Sequence, residues 1–227
     1  MINIAIDGPA GAGKSTIAKA ISRELGIIYL DTGAMYRAVA LKAIQSGIDT
    51  GDKAGVESLV KDIDIQIEYK DNEQRILLDG TDVTAMIRTP EVSVGASDVA
   101  VIPAVRTKMV ELQRSIAKNN DVVMDGRDIG TFVLPDASYK FFLTASLDER
   151  AKRRFNEMTA NGMTGVSLED VKRDIAYRDK NDSSRSFAPL SKAPDALEID
   201  TTGIDPEEVV RIIMDSIKNK KTVGAAK

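Results

Sequence analysis

The spacing of apolar residues at the start of the chain is typical of an α/β protein. The run Ile2–Asp7 is apolar and rich in β-branched residues, as expected for a buried parallel strand. A helical pattern follows, in which Ile17, Ile21 and Leu25 recur on one face. A second short strand, Ile27–Leu30, leads into another helical stretch. The order strand, helix, strand, helix predicts a parallel sheet flanked by helices.

The middle of the chain changes to a period of two residues. Apolar and polar residues alternate over Ile63–Tyr69, and a polar turn at Lys70–Gln74 leads into a second apolar run, Arg75–Leu78. This pattern predicts an antiparallel hairpin inserted into the α/β fold. Pro90 and Pro103 then punctuate two helical stretches.

The α/β pattern resumes after this insertion. Three apolar runs predict further core strands: Asp121–Asp125, Lys140–Leu143 and Ala196–Asp200. Ser146 and Glu149 have the spacing of a capping box for a helix that starts near Leu147. Asp205–Glu208 combines a cap, a proline and two acids, which predicts the start of the final helix.

Composition limits the chemistry that the protein can perform. A length of 227 residues, with 43% hydrophobic and 29% charged residues, fits one large domain or one domain with insertions. The chain has no Cys and no His, which excludes disulfides, Cys- or His-ligated metals and Ser-His-Asp triads. Chemistry is left to Lys, Arg, carboxylates, hydroxyls and an oxygen-bound metal such as Mg²⁺.

Charge and hydropathy point to small-molecule partners. A net charge of −4, an aromatic content of 4% and the absence of Trp argue against a nucleic-acid partner. No apolar run approaches 18 residues, which argues against a membrane partner. The stretch Met1–Asp7 is too short for a signal peptide and has no basic region before it, so we expect a cytoplasmic protein.

The clearest functional motif follows the first predicted strand. Gly8–Ser15 fits the pattern G-x-x-x-x-G-K-[S/T] in full and precedes a predicted helix. Glycines let the backbone curl around an anion, and a helix N-terminus favours negative charge at the same point. We expect Lys14 to reach the β- and γ-phosphates of a nucleotide and the Ser15 hydroxyl to bind Mg²⁺. The motif alone does not separate kinases from other nucleotide-dependent proteins.

The rest of the chain favours a small-molecule kinase. It has no Asn-Lys-x-Asp segment for reading guanine. A kinase needs a second anion site opposite the γ-phosphate, and arginine suits that site because it binds phosphate through two hydrogen bonds. Arginines occur in fitting contexts, and Arg127 is the clearest because it follows a predicted core strand whose end should face a ligand. The candidates are Arg37, Arg106, Arg127, Arg178 and Arg185.

Several segments together resemble the bacterial-type cytidylate kinases, a family of nucleoside monophosphate kinases with a phosphate loop (P-loop). They are Gly8–Thr16, Asp31–Arg37, Ile87–Val92, Asp125–Thr131 and Tyr177–Arg185. The resemblance runs from about residue 2 to 217. It implies an α/β P-loop NTPase fold with a central parallel sheet flanked by helices, an inserted monophosphate-binding domain with a small antiparallel sheet, and a helical lid. The implied divisions are a core at 1–32, a monophosphate-binding region at 33–103, core at 104–145, a lid at 146–166, and core with the C-terminal helix at 167–227.

The resemblance also implies the reaction and the residues that perform it. The reaction would transfer the γ-phosphate of ATP, with Mg²⁺, to CMP or dCMP. The implied ATP-binding residues are Gly8, Pro9, Ala10, Gly11, Ala12, Gly13, Lys14, Ser15, Thr16 and Arg153. The acceptor phosphate would be held by Arg37, Arg127 and Arg185, and the cytosine edge by Ser97, Arg106 and Asp128. The nucleoside pocket would be completed by Thr32, Tyr36, Arg178 and Asp182.

The catalytic group and the metal site are implied in the same way. The lid would carry Arg150, Arg153 and Arg154. The catalytic residues would be Lys14, Arg127, Arg150, Arg154 and Arg185. Asp125 would order Mg²⁺ through water, beside the direct ligand Ser15. The resemblance implies a monomer.

Two other readings of the residues stay open at this point. The acceptor could be UMP, AMP or a hydroxylated metabolite such as shikimate, for which Asp31 or Asp128 could serve as a base. Alternatively, the chain could be a switch or binding module that binds ATP without an acceptor. Such a module would not need the arginines of a second anion site.

Overall fold

The computed structural model describes residues 1–70, 73–160 and 162–225, and within them the chain forms eight strands and eight α-helices. The strands are β1 (Asn3–Asp7), β2 (Ile28–Asp31), β3 (Ile65–Lys70), β4 (Glu73–Leu78), β5 (Thr81–Asp82), β6 (Val122–Gly126), β7 (Tyr139–Thr144) and β8 (Leu197–Asp200). The helices are α1 (Lys14–Leu25), α2 (Thr32–Gln45), α3 (Lys53–Asp62), α4 (Pro90–Val99), α5 (Pro103–Asn119), α6 (Leu147–Ala160), α7 (Leu168–Ser184) and α8 (Pro206–Ala225).

The predicted central sheet is confirmed and consists of five parallel strands. Their order is β2-β6-β1-β7-β8, which places β1 in the middle and β2 at an edge. The register pairs Asp7 with Gly126 and Asp31 with Asp125. Three carboxylates therefore meet at the carboxyl ends of neighbouring strands, where open α/β sheets bind their ligands.

The two faces of this sheet are covered by different layers. One face packs against α1 and α8 through residues such as Ile21 and Ile213. The other face packs against α2, α5 and the residues of the second sheet, with Leu30, Met35 and Met109 at its centre. The inserted region thus shares one continuous apolar core with the central sheet.

The predicted antiparallel hairpin is also confirmed. Strands β3 and β4 pair in antiparallel register, and β5 adds a third short strand. The predicted turn at Lys70–Gln74 includes residues 71–72, which lie outside the described residues. The region 33–103 contains this sheet, while the other division points drawn from the sequence stay predictions.

Side chains of the hairpin bind the edge strand β2. The Asp31 main-chain N–H donates to Gln74 Oε1 at 2.7 Å, and Gln74 Nε2 donates to the Asp31 carbonyl at 3.3 Å. The Tyr69 hydroxyl donates to the Tyr29 carbonyl at 3.1 Å. These bonds fix the hairpin beside the strand end that carries Asp31.

Helix starts follow the predicted signals with one difference. Pro90 and Pro103 occupy the first positions of α4 and α5. At α6, the Glu149 N–H donates to Ser146 Oγ at 3.3 Å, but the Glu149 carboxylate pairs with Arg153 at 2.9 Å instead of closing the predicted box. Among the helices described, none combines the length and apolar character needed to cross a membrane.

Candidate active site

The Gly-rich loop turns sharply between β1 and α1 and requires glycine at its two ends. Gly8 has φ = 144°, and a Cβ there would lie 1.9 Å from the Leu143 carbonyl oxygen. Gly13 has φ = 86° and immediately precedes α1. Lys14 is buried at the helix start, and its Nζ donates to the Pro9 carbonyl at 2.7 Å. The loop, the lysine and the helix N-terminus thus form an anion site.

A buried arginine supports this loop from behind. Arg150 Nε donates to the Ala145 carbonyl at 2.9 Å, and its NH1 donates to the Ala10 carbonyl at 3.0 Å and to Asp179 Oδ2 at 2.6 Å. These are the partners of Arg150 in the structure, and its expected catalytic role in the lid stays a prediction. All of these bonds hold Arg150 in the wall behind the loop, because burial demands partners for its charge.

A cavity of about 800 Å³ opens in front of the loop. Nine Lys and Arg side chains line it against seven Asp and Glu side chains, although the whole chain carries a net charge of −4. Three predicted site residues do not line it: Gly8, Pro9 and Arg150. The predicted site residues that line it are Ala10, Gly11, Ala12, Gly13, Lys14, Ser15, Thr16, Thr32, Tyr36, Arg37, Ser97, Arg106, Asp125, Arg127, Asp128, Arg153, Arg154, Arg178, Asp182 and Arg185.

A cluster of arginines lines the same cavity as the loop. Arg127 Nε donates to Asp182 Oδ2 at 2.6 Å, and Arg185 lies 3.7 Å from the other Asp182 oxygen. Burial, together with the charges of Arg127 and Arg37, lowers the pKa of Arg178 to about 9. Burial is the largest cause of this shift, the charges of the neighbouring arginines add to it, and the Asp182 charge opposes it. The cluster therefore carries positive charge that an anionic ligand would neutralise.

Next to this cluster lies a buried ion pair. Arg106 is 1% exposed and its NH2 donates to Asp128 Oδ2, while Arg185 NH2 donates to Asp128 Oδ1 at 3.2 Å. The Arg106 guanidinium also lies 5.8 Å from the ring centres of Tyr36 and Phe187. Burial raises the pKa of Asp128, and the two arginines oppose that change. Positively charged hydrogen-bond donors and a negatively charged acceptor thus line this part of the cavity together.

The strand ends supply a second set of polar groups. The Tyr29 hydroxyl donates to Asp125 Oδ1 at 3.0 Å, and the Thr32 hydroxyl donates to the Asp125 carbonyl at 2.7 Å. Burial and the nearby Asp31 charge raise the pKa of Asp125 to about 6. Burial and the Arg127 charge lower the pKa of Lys14 to about 7. Burial thus moves the pKa values of both groups toward neutral pH.

Asp7 fixes the turn that carries Arg127 and Asp128. Its carboxylate accepts from the Ile129 and Gly130 main-chain N–H groups at 2.8 and 2.7 Å. These residues begin a π-helical turn, Ile129–Val133, which the sequence reading did not anticipate. Arg127 and Asp128 are thereby held at the end of β6 with a fixed direction.

Two functional candidates were missed in the sequence. Thr201 follows β8, and its hydroxyl accepts from Arg153 NH1 at 3.0 Å and lies 3.0 Å from the Thr144 carbonyl oxygen and 3.3 Å from the Ala12 carbonyl oxygen of the loop. The sequence feature that could have marked Thr201 as a site residue is its place directly after a core strand. Arg88 lines the cavity as well, and its signal was its place within the family segment Ile87–Val92.

The residues present suit a hydrated Mg²⁺ ion held largely by phosphates. Among the described residues, no group of three or more Asp, Glu, His or Cys side chains could hold a metal by itself. Mg²⁺ usually keeps several waters and takes only one or two protein oxygens beside substrate phosphates. Ser15 and Asp125 line the same cavity and offer oxygens of this kind.

Comparison with known proteins identifies the family. The sequence model of cytidylate kinases matches residues 4–219. The chain belongs to the cytidylate kinase family. Cytidylate kinases of Lactobacillus gasseri and Caldicellulosiruptor bescii are 49% and 51% identical to it, over 97% and 94% of this chain and 96% and 94% of theirs. The resemblance drawn from the sequence is thus confirmed, and a non-catalytic switch is no longer a competing reading.

A solved structure supports the fold of this cytidylate kinase family member. A gluconokinase from Sinorhizobium meliloti superimposes with a TM-score of 0.51 at 12% identity, covering 100% of this chain and 97% of that chain. At this identity the likeness concerns the fold alone. It agrees with the predicted P-loop kinase architecture.

Proposed function

We propose that this enzyme transfers the γ-phosphate of ATP to CMP or dCMP, giving CDP or dCDP. Family membership makes the chain an ATP-dependent nucleoside monophosphate kinase. One observation carries the assignment of roles: a cluster of arginines and the phosphate loop line a single cavity. A second phosphate can therefore be held opposite the one bound by the loop.

The reaction needs charge neutralisation more than proton transfer. A nucleoside monophosphate has a second pKa of about 6, so its phosphate is largely a dianion at neutral pH. It can attack without losing a proton, which makes a general base unnecessary and fits a chain without His. The barrier comes from repulsion between two polyanions, and positioned cations lower it.

The cations divide between donor and acceptor. We assign the β- and γ-phosphates of ATP to Lys14 and the loop, and the acceptor phosphate to Arg37, Arg127 and Arg185. Arg154 lines the cavity from α6 and is assigned to the transferred phosphoryl group. Mg²⁺, held by Ser15 and through water by Asp125, would neutralise phosphate charge.

The base and sugar of the acceptor are assigned to the opposite end of the cavity. Arg106, Asp128 and Ser97 can offer donors and acceptors to the cytosine edge. Asp182 would accept from the ribose hydroxyls, and burial raises its pKa less than Arg127 and Arg185 lower it, so it stays ionised. The remaining nucleoside contacts are assigned to Thr32, Tyr36 and Arg178.

Acceptor choice tests the proposal directly. ADP formation from ATP and Mg²⁺ is measured with CMP, dCMP, UMP, AMP or shikimate, and without acceptor. We expect fast turnover with CMP and dCMP and little without acceptor, because an incomplete arginine site should not activate water. Equal rates with every acceptor would contradict the assigned base contacts. Acceptor-independent hydrolysis would contradict the assigned second anion site.

Binding of ATP should be linked to protonation of Lys14. In the free enzyme the pKa of Lys14 is lowered to about 7, and a bound polyphosphate raises it. Affinity for ATP without metal is therefore full below pH 7 and falls as pH rises through 7 toward the bound-state pKa. Calorimetry at pH 8 in buffers of different ionisation enthalpy should show uptake of nearly one proton per ATP.

A Lys14→Met variant is the comparison for this measurement. It should bind ATP more weakly and take up no proton at pH 8. Equal proton uptake by both proteins would assign the linkage to another group.

The same assignment leads to expectations for the partners, the oligomeric state and the cellular location of the enzyme. ATP and CMP or dCMP are the proposed partners, and we expect a monomer acting in the cytoplasm. Light scattering at micromolar concentration would test the oligomeric state, since a mass of about twice 24.6 kDa would contradict a monomer.

A further inference from the structure

Arg88 lies in a segment whose backbone is fixed on both sides. Ile87 is fully buried, and Thr89 caps α4 by accepting a hydrogen bond from the Val92 N–H at 3.2 Å. Pro90 is the first residue of α4. The Arg88 side chain is half exposed and reaches from this fixed segment into the cavity lining. None of the roles assigned above uses it.

The guanidinium of Arg88 shares one oxygen atom with that of Arg37. Arg88 NH2 donates to Asp31 Oδ2 at 3.1 Å, and Arg37 NH1 lies 3.6 Å from the same oxygen. The other Asp31 oxygen accepts from the Ala34 N–H at 2.9 Å as the cap of α2. Arg88 thus makes the hydrogen bond, while the buried NH1 of Arg37 has no hydrogen-bond partner within the described part of the chain.

Arg37 and Arg88 compete for the single negative charge of Asp31. Burial would raise the pKa of Asp31, but Arg37 and Arg88 hold it below its ordinary value, so the carboxylate stays ionised. Burial lowers the pKa of Arg37, Asp31 opposes that effect, and the Arg88 charge adds to it. An acceptor phosphate would have to draw Arg37 toward itself, away from Asp31. A buried carboxylate left alone is costly, and it would also repel the phosphate.

We propose that Arg88 is a positioning residue that neutralises Asp31 and so leaves Arg37 available to the acceptor phosphate. When Arg37 turns toward the phosphate, Arg88 keeps Asp31 paired. Without Arg88, Asp31 would take Arg37 as its main partner and weaken acceptor binding. The inference rests on the proposed function, in which Arg37 binds the acceptor phosphate.

An Arg88→Met variant tests whether Arg88 supports binding of the acceptor phosphate. We expect the KM for CMP to rise about tenfold, as for the loss of one charge-assisted interaction. The KM for ATP and the thermal midpoint should stay near those of the unaltered enzyme, since the residue is half exposed. Arg88→Lys keeps the positive charge and should recover most of the loss. Inhibition by cytidine, which has no phosphate, should not change, whereas a structural defect would alter it.

The decisive measurement repeats Arg88→Met in an Asp31→Asn background. Asparagine caps helices about as well as aspartate, so α2 keeps its start. With no carboxylate to neutralise, Arg88→Met should leave the KM for CMP unchanged. A tenfold rise in this background as well would mean that Arg88 contacts the acceptor directly, and it would overturn the proposal.

Other outcomes separate this proposal from the proposed function. If the unaltered enzyme phosphorylates CMP but Arg88→Met has no effect, only the role of Arg88 is overturned. If Arg37→Met leaves the KM for CMP unchanged in an active enzyme, the assignment of Arg37 and the role of Arg88 both fall. If the unaltered enzyme does not phosphorylate CMP, the proposed function falls as well.

Discussion

An Arg127→Ala variant is expected to lose about 10² to 10³ in kcat, the usual effect of removing one well-aimed charge that stabilises a transition state. Arg127 lies at the end of β6, directed by the Asp7-bound turn, and pairs with Asp182 at 2.6 Å. The fold should survive, because the Asp182 carboxylate still has a positively charged neighbour in Arg185, at 3.7 Å, after Arg127 is removed. Steady-state kinetics with CMP and a thermal melt would measure both effects.

Arg173→Ala is a matched control on the outer side of the same region. Arg173 is 74% exposed and pairs with Asp170 within α7, as Arg127 pairs with a carboxylate of α7. Its loss should leave kcat within about twofold, as is usual for exposed ion pairs. A near-normal kcat for Arg127→Ala would contradict the role that we assign to Arg127.

Replacement of Asp128 by alanine should destabilise the protein by about 3–5 kcal/mol, because it leaves a buried charge without its partner. The stranded charge is that of Arg106, which is 1% exposed, and Arg185 loses a bond at the same time. The free energy of unfolding in urea would report the change. Asp128→Asn should cost less, since it keeps an oxygen acceptor.

Two comparisons sharpen this prediction. Glu198→Ala breaks an exposed pair with Lys192 and should cost at most about 1 kcal/mol. An equally small cost for Asp128→Ala would contradict the structural role of the buried pair. In the folded Asp128→Asn variant, we expect the preference for CMP over AMP to fall while the KM for ATP stays the same. An unchanged preference would remove Asp128 from the base-reading residues.

The local elements of the fold could be predicted because their signals are local. The apolar strand Ile2–Asp7 and the motif Gly8–Ser15 lie next to each other, and together they require the turn that is found. The alternation over Ile63–Tyr69 likewise indicates a strand with one buried face. Strand order could not be predicted, because periodicity reports which residues are buried and not which strand lies beside them.

The hydrogen-bond and ion-pair partners of the site residues were harder to predict than which residues line the site. Most of the candidate residues line one cavity, but the residues alone did not show that Arg150 faces the Ala10 carbonyl or that Arg88 shares Asp31 with Arg37. The Arg88–Asp31 contact joins residues 57 positions apart, and the Arg150–Ala10 contact joins residues 140 positions apart. They depend on tertiary packing, which brings charged groups together in ways that no spacing rule encodes.

The inserted hairpin also bears on how copies of the chain meet in solution. An edge strand of a sheet offers unpaired main-chain groups to any other strand, and this is a common origin of aggregation. Strand β2 is such an edge. The Gln74 side chain forms hydrogen bonds with the main-chain N–H and carbonyl of Asp31, and the Tyr69 hydroxyl donates to the Tyr29 carbonyl, so these main-chain groups already have partners. The hairpin that binds the main chain of Asp31 therefore also blocks strand addition at this edge, so changes that loosen the hairpin should promote self-association.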